Sequence, residues 1–160
     1  MKKLDIIYLA DCIISHFSQK GDFISNKKLQ KLLYYIQAWH LVYFDKNLFD
    51  DKPEAWAHGP VYPVAYHKYK KFGANPLKPV DFDFTEPDVF TQLDIKKEQV
   101  ELVKSVLVKY GSISAYQLEL ISHSEQPWLE KRKGFSDFAI SSEAISFSTM
   151  KSFYEKLLKN

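Results

Sequence analysis

From Ser25 onward the chain carries Leu29, Leu32, Leu33, Ile36, His40 and Tyr43 on one face of a 3.6-residue repeat, and Tyr35, Trp39 and Val42 widen that face sideways. An apolar arc this broad cannot be buried against a single neighbour. The segment therefore has to be a central helix with other elements packed around it, and Ser25 or Asn26 supplies its N-cap.

The flanking segments supply the partners. Ile6, Leu9, Ala10, Ile13 and Phe17 recur at helical spacing, with Cys12 beside the stripe and Lys20-Gly21 closing the helix. After a turn at Lys46-Asn47, Asn47-Leu48-Phe49 and Glu54-Ala55-Trp56-Ala57 read as two short strands around Asp50-Asp51-Lys52-Pro53. Gly59-Pro60-Val61-Tyr62-Pro63 is expected to start the next helix, since proline fits a first turn, with Val61, Ala65, Tyr69 and Phe72 facing inward. Residues 76–94 hold three prolines and five acidic residues, with no basic residue after Lys78, and read as a long loop or edge.

Helical spacing resumes at Val100, Val103, Leu107 and Tyr110. Ser114-Ala115-Tyr116-Gln117 has the form of a capping box ahead of Leu118 and Ile121. Gln126-Pro127-Trp128 opens a short turn, Ala144 to Phe147 reads as a candidate strand, and Ser148 is expected to cap a last helix bearing Met150, Phe153, Tyr154, Leu157 and Leu158. The expected fold is mainly α, of the α+β kind: a compact bundle of about six helices with a small antiparallel β hairpin or three short strands. No internal repeat or boundary divides residues 1–160, so a single domain is expected.

Composition narrows the function classes. At 46% hydrophobic and 16% aromatic, the 160-residue chain is far from the composition of disorder and can bury about 70% of its unfolded surface. The 22 basic and 20 acidic residues leave a charge of +2, too small to point to nucleic acid or an anionic membrane. A lone Cys12 can form no intrachain disulfide, which suits a reducing interior, so a cytoplasmic location is expected. Lys2, Lys3 and Leu9-Ala10-Asp11-Cys12 superficially resemble a lipoprotein processing site, but Asp5 and Asp11 interrupt the apolar run. No stretch approaches the roughly 18 apolar residues of a membrane span.

Neither a nucleophile elbow, a phosphate-binding glycine loop nor an H-E-x-x-H pair is present, and the five glycines are too few for a phosphate cradle. His58 and His67 lie too far apart for an obvious ligand pair, and His40 on the apolar stripe reads as a hydrogen-bonded core residue. His123 with Glu125 lacks a nucleophile or third partner and reads as a structural helix end. Asp81 and Asp83, alternating with Phe82 and Phe84, have the pattern of a half-buried edge strand with solvated carboxylates. No enzyme, cofactor or metal is expected. Lys27, Lys28 and Lys31 crowd a helix start, where the dipole disfavours cations by about 0.3–1 kcal/mol, and Lys131-Arg132-Lys133 could join them as a patch for an acidic partner. A solvated basic face is the simpler and preferred reading of both groups.

Leu29-Gln30-Lys31-Leu32-Leu33-Tyr34-Tyr35, Trp39-His40-Leu41, Glu54-Ala55-Trp56-Ala57-His58-Gly59-Pro60-Val61 and, later, Leu118, His123 and Pro127-Trp128 closely resemble the Panacea domain, the family of SocA-like and GepA-like phage-associated antitoxins. The resemblance spans nearly the whole chain and is most specific from Leu29 to Tyr69. It implies one Panacea-like domain that neutralises a cognate toxin by direct protein contact. It also implies that partners differ between members, many resembling nucleotide-modifying toxins of the alarmone-synthetase type. One relative acts as an adaptor that delivers its toxin to a protease, so delivery is kept as an alternative, with a DNA-binding regulator as a further one. A homo-oligomer is compatible with this reading.

Trp56, Gly59 and Pro60 are expected to form a strand-to-helix corner, with Trp39 and Trp128 in the core. Partner contacts are sought beside that scaffold, at Lys31, Tyr62, Tyr66 and His67.

Overall fold

The computed structural model describes residues 1–160, which form seven α-helices and a two-stranded sheet. Helix α1 (Ile6–Gln19) begins at Asp5, whose carboxylate accepts from the N–H groups of Ile7 and Tyr8. Helix α2 (Asn26–Phe44) begins at Ser25, whose hydroxyl accepts from Lys28 N–H, and stops at Asp45, which adopts φ 56°. No helix is long and apolar enough to cross a membrane.

As the breadth of its apolar face requires, α2 is buried on nearly every side. It packs against α1, α3 (Pro63–Tyr69), α4 (Lys97–Gly111), α5 (Ala115–His123) and α7 (Phe147–Lys159). Burial would strand its polar side chains without partners, and each has one. Gln37 accepts from Leu48 N–H at 2.7 Å and donates to Phe49 O at 2.6 Å. Gln30 accepts from Tyr62 N–H at 2.9 Å and donates to Asn26, whose amide donates onward to Tyr66 O. His40 is a core histidine: Nδ1 faces Lys46 O and Nε2 faces the Gln99 amide, which suits the Nδ1–H tautomer. Through these side chains α2 fixes the backbone of the loops around it.

The hairpin differs from the expected one. β1 (Glu54–Trp56) pairs antiparallel not with Asn47–Phe49 but with β2 (Gly59–Val61), in the register Glu54 to Val61 and Trp56 to Gly59. Two causes combine. The Gln37 amide occupies backbone groups at Leu48 and Phe49 that a strand would need, while Ala57-His58 followed by Gly59 at φ 111° makes a tight reversal. Pro60 therefore lies in a strand opposite Ala55, tolerated because a two-stranded sheet has only edges. Helix α3 consequently starts three residues later than expected, with Pro63 in its first turn. Val61 is a strand residue rather than the first inward position of that helix.

Residues 81–84 form no strand. The Asp11 carboxylate, fully buried, accepts from the N–H groups of Val80, Asp81 and Phe82 at 2.9–3.0 Å and from the Tyr69 hydroxyl at 2.6 Å. Phe84, Val89 and Phe90 are then buried beneath the loop. Cys12 is likewise buried, its thiol donating to Val89 O and pushed up to about 12 by burial.

Near the C-terminal end only half of the capping box forms, Ser114 accepting from Gln117 N–H without a return bond. Pro127 opens a full helix, α6 (Gln126–Arg132), rather than a turn. The expected strand at 144–147 shrinks to one bridge between Glu54 and Ala144, and Ser146, not Ser148, caps α7. Arg132 is buried and donates to the carbonyls of Ala55, Ser136, Asp137 and Ala139. It braces the 133–141 loop and is no part of a solvated basic patch.

Candidate functional site at the hairpin corner

Helices α2 and α5 converge on Gly59 of the hairpin, and the reason is steric. A Cβ there would lie 2.5 Å from Lys31 Cε and 2.9 Å from Ser122 Oγ, so only glycine lets α2 and α5 approach the turn this closely. Lys31 is 1% exposed and its ammonium donates to Pro60 O at 3.3 Å. Burial lowers its pKa to about 7, Glu119 opposing the shift and Lys27 adding to it.

Glu119 on α5 gathers the remaining charge. Its Oε1 pairs with Lys27, at the start of α2, and with His58 Nδ1, on the hairpin turn, at 3.3 Å. Partial burial works against its ionised form, but the Lys27 hydrogen bond and charge, and then His58, hold the carboxyl below its usual range. His123, one turn on, stacks on Trp128 with ring centroids 3.9 Å apart, and the Trp128 indole donates to Trp56 O at 2.7 Å. Burial lowers the His123 pKa, with Glu119 resisting and Lys31 and His58 contributing. Charge pairing and stacking thus clamp the turn between α2, α5 and α6.

Behind the corner, Glu125 is the hub of a buried network. Its Oε1 accepts from Tyr35 at 2.7 Å and Tyr154 at 2.8 Å, and the Tyr34 and Tyr154 hydroxyls are 3.1 Å apart. Tyr35 stacks on Tyr110 at 4.2 Å, and Tyr110 accepts from the Trp39 indole. Burial raises the Glu125 pKa, tempered by the Tyr35 and Tyr154 hydrogen bonds. His123 and Glu125 therefore face different neighbours and do not form an acid–base pair.

The four residues expected to touch a partner separate here. Lys31 and Tyr62 are core residues, Lys31 because it packs on Gly59 and Tyr62 because its ring packs against Phe49 at 5.2 Å. Neither presents a surface. Tyr66 is half-buried and His67 exposed, and both rings lie beside Trp56, at 5.0 and 6.3 Å. Leu29, Leu32, Leu33, Tyr34 and Val61 are buried scaffold residues, as is Pro127, while Trp39 is 7% exposed and Trp128 half-buried. Sequence reading named Lys27 only as part of a basic helix start and missed its partner Glu119, and Ser122, both far along the chain on α5. Their only signal was a cationic helix start with no nearby acid.

Fold and site together define a mainly α domain braced around a hairpin corner. Residues 29–129 match the family described as antitoxin SocA-like, Panacea domain, and the chain belongs to that family. It is 37% identical over 112 residues to antitoxin SocA of Caulobacter vibrioides (strain NA1000 / CB15N), an alignment covering 66% of this chain and 58% of that protein. The chain thus spans less than two thirds of that relative's length. No solved structure matches it.

Proposed function

We propose that this chain is an antitoxin that neutralises a cognate toxin by binding it directly. The observation that carries this reading is the family match over residues 29–129, which takes in the corner from α2 to the first residues of α6, together with the relative named an antitoxin. The chemistry at the corner supports it. Lys31, Glu119 and His123 are tied into clamping contacts, while Tyr66 and His67 remain at the rim beside Trp56, where an aromatic anchor for another protein would sit.

The test is to express the protein encoded by the adjacent reading frame in a bacterial host, with and without this chain. Relief of growth arrest with co-purification of the two proteins is the expected result. Relief without a complex, accompanied by faster toxin loss that needs a host protease, would replace direct blocking by delivery. A harmless neighbour would overturn the antitoxin reading.

A further inference from the structure

Charge is unevenly placed along the chain. From Phe23 to Phe44 there are three lysines and no acidic residue, and from Ala55 to Val80 there are Lys68, Lys70, Lys71, Lys78, His58 and His67, again with no acidic residue. The fold joins these two stretches, since Asn26 donates to Tyr66 O and Gln30 accepts from Tyr62 N–H. Acidic residues instead collect from Asp81 to Asp94.

The carboxylates bordering the joined face are occupied. Glu54 accepts from the Trp56 indole, Glu119 pairs with Lys27 and His58, and Asp81 pairs with Lys68 at 3.0 Å. Only Asp22, in the loop before α2, is unpaired near its start. Lys70, Lys71 and Lys78 are exposed and have no carboxylate partner; Lys70 and Lys71 follow Tyr66 and His67 by about one helical turn, and both of those rings lie beside Trp56.

We propose that this face, formed by α3, the 3₁₀ turn Lys70–Phe72 and the rim of the hairpin, docks an acidic segment of the partner protein. The inference rests on the antitoxin reading for the partner's identity as a toxin. Charge complementarity selects the chemistry: unpaired ammonium groups beside amphipathic aromatics suit carboxylates flanking an apolar or aromatic residue. A protein segment fits better than nucleic acid. Trp56, Tyr66 and His67 pack edge-on or tilted against one another rather than aligned as a row of stacking platforms, and the whole chain carries only +2.

The experiment measures affinity for the purified product of the adjacent reading frame across a salt series. It compares the wild type, the double reversal K70E/K71E and a control, K156E/K159E, at the exposed end of α7. Parallel titrations use a fluorescent peptide of alternating glutamate and tyrosine, and a labelled DNA duplex. The expected result is a loss of about tenfold or more in affinity for K70E/K71E, with a flatter salt dependence, unchanged melting temperature and a control close to wild type. Equal affinities of wild type and K70E/K71E would overturn the inference. If the neighbour's product does not bind but the peptide does, with the same lysine dependence, the antitoxin reading fails and the acidic-segment surface stands. Tighter binding of the duplex than of the peptide, lost in K70E/K71E, would overturn it in favour of nucleic acid. Binding of none of the three probes would overturn it outright.

Discussion

A single buried ammonium and a single bare Cα set the behaviour of the corner. In the unfolded chain Lys31 keeps its proton up to its ordinary pKa of 10.5, but in the fold only up to about 7. Between those values the unfolded state holds the extra proton, so stability rises with pH across that window and is lowest below it. Melting curves of wild type minus K31M should show this rise, and K31M should be the more stable protein at pH 6. Coincident pH profiles would refute the assignment. Gly59 makes a sharper prediction. G59A must hold φ 111° and push Lys31 and Ser122 aside, costing about 2–4 kcal/mol by urea unfolding, while G73A, at φ 57° with open space around it, should cost about 1 kcal/mol.

Elements are held in place by side chains that stand in for missing regular structure. The loop at 80–82 has no strand partner; it is attached to α1 and α3 through Asp11. Removing that carboxylate leaves three N–H groups and a hydroxyl without acceptors, so D11A should cost about 3–5 kcal/mol. Hydrogen exchange at the Val80, Asp81 and Phe82 amides should accelerate more than at α2. Uniform acceleration would mean that Asp11 supports the whole fold rather than this loop. Arg132 does the same for the 133–141 loop, which leaves Phe138 and Ile140 at 83% and 98% exposure. R132M should loosen that loop while leaving β1 paired to β2.

For the whole molecule, the distinction that matters is between scaffold and rim. W39A removes a core indole that donates to Tyr110 and should cost about 3–5 kcal/mol. Under the proposed antitoxin role it would weaken neutralisation through loss of fold, and so says little about contact. Y66A/H67A alters the rim and should leave the melting temperature within a few degrees while weakening affinity for the proposed toxin partner. Unchanged affinity in that variant would remove Tyr66 and His67 from the contact surface.

Local chemistry determined what the chain order alone could decide. The width of the apolar face made α2 central, Ser25 and Gly21 placed helix ends near where they occur, and the strings around Lys31, Trp56 and Gly59 carried the family. Those signals act within a few residues along the chain. Tertiary structure decided the rest, because the deciding partners are distant. Gln37 took the backbone groups of Leu48 and Phe49, so β1 found its partner in β2 instead. Asp11, which in sequence only interrupted an apolar run, became the acceptor that shapes residues 80–82. Lys31 read as a surface charge beside Lys27 and Lys28 until Gly59 left room for it to lie against the turn. That close approach across 28 residues places Lys31 in the core and leaves Tyr66 and His67 at the rim.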